Sequence, residues 1–185
     1  MKKIAVFASG NGSNFQAIVE NSHLGYEVDV LICNRPNAYV LERAKNLGIN
    51  TYVFDHKKYK DRRIYEREII EFLKDRDIRL IVLAGYMRLF SEVLLEKYDG
   101  RIINLHPSLL PDFPGVRAIE DAYNAKAKEM GVTIFYVDSG IDTGDIIVQE
   151  GFVYEDESLE DIEVKIHKLE HELYPKTIIA ILEDM

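Results

Sequence analysis

The sequence predicts an α/β fold: a doubly wound, Rossmann-like, mostly parallel seven-stranded sheet with helices on both faces and an antiparallel edge. Three observations carry that expectation. Strand-like and helix-like segments alternate along the chain, the pattern of βαβ units. Ile78-Arg-Leu-Ile-Val-Leu-Ala84 and Val28-Asp-Val-Leu-Ile32 are nearly continuous apolar runs, as expected of strands covered on both faces. The last two strand candidates are joined by a turn-rich link with no helix, which suits an antiparallel pair.

In chain order, Lys3–Ala8 reads as the first strand. Its apolar run is too short for a secretion signal and is cut by Gly10-Asn-Gly-Ser-Asn14, so a cytoplasmic protein is expected. A helix over Ser13–Asn21 follows the glycines, then a strand at Glu27–Cys33 and a helix at Ala38–Leu47. Next come a strand at Asn50–Phe54, a helix at Lys58–Asp75, a strand at Leu80–Ala84 and a helix at Ser91–Tyr98. Arg101–Leu105 is the fifth strand, Val116–Ala125 the fifth helix, and Val132–Val137 and Asp145–Val153 the closing strands. The final helix, Leu159–Leu182, repeats apolar residues at 159, 162, 166, 169 and 173, which gives one buried stripe. Ser158 and Asp161 resemble an acidic capping box, and Pro175 predicts a kink. The stripe can pack on its own sheet or on a second copy, and the first use is favoured, so monomer and homodimer both stay open.

At 185 residues, with 47% hydrophobic and 30% charged residues, one domain over residues 1–185 is expected. No run is long and apolar enough to span a bilayer. The net charge of −9 argues against nucleic acid as a partner. It leaves room for small anions held by local arginines and helix N-termini. The lone Cys33 rules out an internal disulfide and reads as a small buried residue. The histidines form no tight ligand pattern, so no metal is expected.

The chemistry concentrates at Asn104-Leu-His106. In a strand, residues two apart share a face, so an amide donor and a titratable imidazole converge. Pro107 holds His106 in extended backbone. Asp142 lies in a turn-rich segment, where a carboxylate can orient the imidazole and favour its cation. That segment, Tyr136–Asp145, is also the one most suited to move, and if it moves Asp142 reaches His106 only with a ligand bound. Ser9-Gly-Asn-Gly-Ser-Asn14 can cradle a phosphate at a helix N-terminus. It is not the Gly-x-Gly-x-x-Gly of dinucleotide sites, because position 15 is Phe. Asn34 also stands where such a site needs an acidic residue.

With these in place the chain resembles the phosphoribosylglycinamide formyltransferase family almost end to end. The resemblance rests on the glycine loop, Leu83-Ala-Gly-Tyr-Met-Arg88, Asn104-Leu-His-Pro-Ser-Leu-Leu-Pro111, Phe113-Pro-Gly115, Asp142-Thr-Gly144 and Glu170-His-Glu-Leu-Tyr-Pro175. It implies a catalytic trio of Asn104, His106 and Asp142. It implies that Gly12, Ser13 and Asn14 hold a substrate phosphate, that Glu170 contacts the glycinamide substrate, and that Met87, Arg88, Leu89 and Phe90 border a folate pocket reached by Arg62. The implied reaction moves the formyl group of 10-formyltetrahydrofolate, a co-substrate, onto the amine of glycinamide ribonucleotide without metal. Gly85 would allow backbone to approach a flat ring, and the Leu110–Pro111 bond can be cis. Arg117 and Phe135 depart from the family, where many members carry histidine. Rival readings are a formyltetrahydrofolate hydrolase, a formyltransferase with another amine acceptor, and a non-catalytic nucleotide- or folate-binding module.

Overall fold

The computed structural model describes residues 1–185. Along the chain run β1 (Lys2–Ala8), α1 (Ser13–Glu20), β2 (Tyr26–Cys33), α2 (Val40–Asn46), β3 (Thr51–Val53), α3 (Arg62–Leu73) and β4 (Ile78–Leu83). They are followed by α4 (Glu92–Lys97), β5 (Ile102–His106), α5 (Ala118–Asn124), β6 (Glu129–Tyr136), β7 (Ile146–Val153) and α6 (Leu159–Glu183). The strands lie in the order β3-β2-β1-β4-β5-β6-β7. Pairings from β3 through β5 are parallel, while β6 runs antiparallel to β5 and β7 antiparallel to β6. The antiparallel region is therefore one pairing wider than expected.

Both faces of the sheet are buried, which accounts for the continuous apolar runs. Ile4, Val6, Leu31, Leu80, Val82 and Ile103 face a core closed by α1, α2 and α6. The alternate residues Ala5, Phe7, Val30, Ile32, Ile81 and Leu83 face a second core closed by α3 and α4. The helix expected from Lys58 begins later. Residues 56–58 form a separate 3-10 turn, and Asp61 caps α3 by accepting from the Arg63 amide at 2.7 Å.

The α6 stripe packs on the sheet as favoured, with Ile162, Ile166 and Leu173 buried, and it continues through Ile178, Ile181 and Leu182. The helix runs on through the buried Pro175 as one 25-residue element. Ser158 caps it, its hydroxyl accepting from the Asp161 amide at 3.2 Å and donating to the Asp161 carboxylate at 2.8 Å. The Tyr174 hydroxyl reaches across the core to the Leu83 carbonyl at 2.8 Å, with the Ile103 carbonyl at 3.3 Å. α6 is thereby tied to the two strand ends that carry the candidate site. No helix is long and apolar enough to cross a membrane.

Candidate active site

Strand order reverses between β1 and β4, and in open α/β sheets the crevice beyond the carboxyl ends of such strands is where ligands bind. Loops from β1, β2 and β4 are stitched together there. The Ser9 amide donates to the Gly85 carbonyl at 3.1 Å, and the Met87 amide donates to the Ser9 hydroxyl at 2.8 Å. That hydroxyl donates to the side chain of buried Asn34 at 2.6 Å. The position where a dinucleotide fold would offer a ribose carboxylate thus serves as a buried brace.

Gly12 has φ 82°, and a Cβ there would sit 2.4 Å from a Val40 methyl, so α1 starts against α2 only if this residue is glycine. Gly12 supplies no side-chain cap, which leaves the first-turn amides at Ser13 and Asn14 open. Arg43 holds the loop from outside, donating to the Asn11 carbonyl and to its side chain, both at 2.8 Å. Asn14 donates to Glu170 of α6 at 3.1 Å, which joins two of the expected ligand contacts. The other oxygen-bearing end of that amide, Asn14 Oδ1, is buried without a partner.

His106 is the last residue of β5 and 5% exposed. Asn104, half-buried, precedes it by two positions on the same strand face. The ring Nδ1 lies 3.4 Å from Asp142 Oδ2, and Nε2 lies 2.8 Å from the Phe113 carbonyl. Both ring nitrogens thus face oxygen atoms, one of a carboxylate and one of a backbone carbonyl. Asp142 Oδ2 also accepts from the Gly115 amide at 3.0 Å. The Phe113–Gly115 turn therefore touches both members of the pair.

Asp142 and His106 are in contact in this structure. The segment holds itself in shape. The Asp138 carboxylate accepts from the Gly140 amide at 2.9 Å and the Thr143 hydroxyl at 2.8 Å. A Cβ on Gly144 would lie 1.6 Å from the Tyr136 carbonyl.

The loop after His106 is seated by residues that sequence reading did not single out. Thr133 and Gln149 lie on neighbouring strands. The Leu110 amide donates to the Thr133 hydroxyl at 3.0 Å, and that hydroxyl donates to the Ser108 carbonyl at 2.7 Å. Gln149 donates to the Leu110 carbonyl at 2.8 Å. Leu109 packs over Gly131 and Gly151, where any Cβ would collide with backbone within 2.8 Å. The Leu110–Pro111 bond is cis. Behind this loop lies a cavity of about 670 Å³ lined by Leu109, Phe113, Ile119, Met130 and Ile166. It does not reach Asn104, His106 or Asp142.

On the β4 side, Met87 and Leu89 are exposed, at 56% and 49%, beside the crevice. Arg88 lies between them with its guanidinium 5.4 Å from the Tyr65 ring and a buried Nε that has no partner. Arg62 donates to the Leu89 carbonyl at 3.3 Å and lies 3.9 Å from the buried Glu66. Phe90 is buried in the core against Phe7 and Tyr86, so it supports the loop from beneath. Gly85 has φ 73° with open space where a Cβ would be, so backbone conformation, and not crowding, calls for glycine. Arg117 is exposed and paired with Glu120 at 2.7 Å, while Phe135 is buried opposite Asn104. No three His, Cys, Asp or Glu side chains are grouped as metal ligands.

With this geometry in view, the comparisons with known proteins agree among themselves. The formyl transferase family profile matches residues 2–178. The chain is 48% identical to the phosphoribosylglycinamide formyltransferase of Bacillus subtilis, over 98% of this chain and 95% of that one. Among solved structures, it superposes on glycinamide ribonucleotide transformylase 1 from Geobacillus kaustophilus with a TM-score of 0.92 and 49% identity, covering 98% of each chain. The Streptococcus pneumoniae phosphoribosylglycinamide formyltransferase gives a TM-score of 0.92 at 46% identity, over 98% of this chain and 99% of that one. The chain belongs to the formyl transferase family, in its phosphoribosylglycinamide formyltransferase branch.

Proposed function

We propose that this enzyme transfers the formyl group of 10-formyltetrahydrofolate to the amine of glycinamide ribonucleotide in purine synthesis, using Asn104, His106 and Asp142. The observation that carries the catalytic reading is the closed set at the end of β5: His106 held between Asp142 and the Phe113 carbonyl, with Asn104 on the same strand. The substrate amine attacks the formyl carbon, and a new C–N bond forms as the carbonyl oxygen takes up negative charge. The Asn104 amide and the His106 cation stabilise that oxygen. Asp142 orients the ring from the Nδ1 side, so Nε2 exchanges the Phe113 carbonyl for the reacting atoms, gives its proton to the folate nitrogen and takes one from the attacking amine. The bond from that nitrogen to the formyl carbon then breaks.

The ribonucleotide phosphate is assigned to Gly12, Ser13 and Asn14 at the open N-terminus of α1, where unpaired amides and the helix dipole favour an anion. Glu170 accepts from the substrate's amine or hydroxyl end. Met87 and Leu89 offer apolar surface to the folate, with Phe90 beneath. The unpaired Nε of Arg88 and the guanidinium of Arg62 suit its oxygens. The same reading makes residues 1–185 one catalytic domain acting in the cytoplasm on small molecules.

The test is a folate-absorbance assay with and without glycinamide ribonucleotide, run beside His106→Ala. Turnover that requires the ribonucleotide and falls by about 10²–10⁴-fold in the variant, with folate binding kept in calorimetry, is expected. Ribonucleotide-independent turnover would mean a hydrolase. A variant as active as the parent would remove His106 from the chemistry.

A further inference from the structure

Glu170 is 4% exposed, and a buried carboxylate is stable only when it is paired and hydrogen-bonded. Asn14 supplies one bond to its Oε2 at 3.1 Å. The other comes from His167, whose Nδ1 lies 3.0 Å from the same oxygen. His167 stands one helical turn earlier on α6, with its side chain 53% exposed against 5% for that of Glu170. A carboxylate can only accept, so Nδ1 must carry the proton. The ring, half in water, therefore donates inward to a group that solvent barely reaches.

The surroundings favour the protonated form of this ring. Glu170 and Glu163 on α6 both favour its cation, and the hydrogen bond to Glu170 raises its pKa against the opposing effect of burial. His171, stacked on it at 6.5 Å between ring centres, goes the other way. Burial pushes the His171 pKa down, His167 and Arg43 of α2 push it further, and Glu170 with Glu20 of α1 oppose them. Asn14 is the neutral neighbour from α1. Two adjacent imidazoles thus differ: His167 holds a proton to higher pH than an ordinary imidazole, and His171 releases one at lower pH.

We propose that His167 is a positioning residue for the amine-bearing substrate, its Nδ1–H fixing the Glu170 carboxylate so that acceptor affinity falls as pH rises. This rests on the proposed function, which gives Glu170 its contact with the ribonucleotide. Below the titration of His167 the cation holds the carboxylate by charge and hydrogen bond together. Above it the neutral ring loses the charge, and its Nε2–H tautomer turns a lone pair on the carboxylate.

The test is steady-state kinetics from about pH 6 to about pH 9 on the wild type, His167→Ala and His167→Gln, at saturating formyl folate. His167→Ala should raise the ribonucleotide KM about fivefold at the acidic end, the scale of one half-exposed charge-assisted bond. Its kcat should stay within about twofold and its formyl-folate KM should not move. His167→Gln, whose amide donates at every pH, should recover the low KM and flatten its rise with pH. An unchanged KM in His167→Ala, or a His167→Gln profile rising like the wild type, overturns the role of His167 alone. A wild type that does not need the ribonucleotide overturns the proposed function and the His167 role together.

Discussion

Charge at the level of single residues is set here by neighbours that the sequence does not reveal. His171 is the clear instance. Burial holds its pKa below the ordinary 6.5, so the native state resists a proton that the unfolded chain accepts. The unfolded chain then binds more protons as pH falls below 6.5, and stability must fall with it. His167 acts with the opposite sign: its raised pKa contributes stability that is full below 6.5 and lost as pH rises through the folded-state value. His171→Gln should therefore lessen the loss of melting temperature between about pH 7 and about pH 5.5, while leaving the neutral-pH melt close to the parent. An equally steep acid loss in the variant would show that other groups govern it. The glycines teach the same lesson. Gly12 and Gly85 were both legible as turn formers, but only the fold shows that one is required by Val40 and the other by its dihedral alone.

Single elements place the proposed catalytic side chains by register. The pairing of β5 with β6 puts Thr133 opposite His106, and the pairing of β6 with β7 puts Gln149 opposite Thr133. Together they bind the loop that continues from His106. Thr133 is fully buried, so Thr133→Val strands the Leu110 amide and the Ser108 carbonyl. A loss of about 1–3 kcal/mol in urea unfolding is expected, with a lower kcat because that loop carries Phe113, whose carbonyl meets the His106 ring. Unchanged stability would mean that Gln149 alone seats it. Asn104, His106 and Asp142 stood out in the sequence because their residue types announce chemistry. Thr133 and Gln149 did not, because a threonine in a strand is ordinary until its cross-strand partner is known.

On the scale of the whole molecule, the sheet is rigid because both faces are covered, and the site sits where loops from its central strands meet. α6 serves both ends of this arrangement. It closes one core with Ile162, Ile166 and Ile178, and it carries Glu170 and Tyr174 to the strand ends. Ile178→Ala should cost about 2–5 kcal/mol, read as a lower urea midpoint with an unchanged slope, because the site is wholly buried. A midpoint within about 0.5 kcal/mol of the parent would mean that the helix repacks freely.

The sequence by itself determined the fold class and all seven strands and six helices, and it singled out the residues proposed for formyl transfer. Periodicity and turn chemistry are local, and reactive side chains are visible one at a time. Only the tertiary structure decided the antiparallel pairing of β6 with β5 and the start of α3 at Asp61. It alone brought Asp142 to His106, supported that loop on Thr133 and Gln149, and joined His167 to Glu170 and Asn14. Those choices are fixed by strand register and by the need of every buried polar group for a partner.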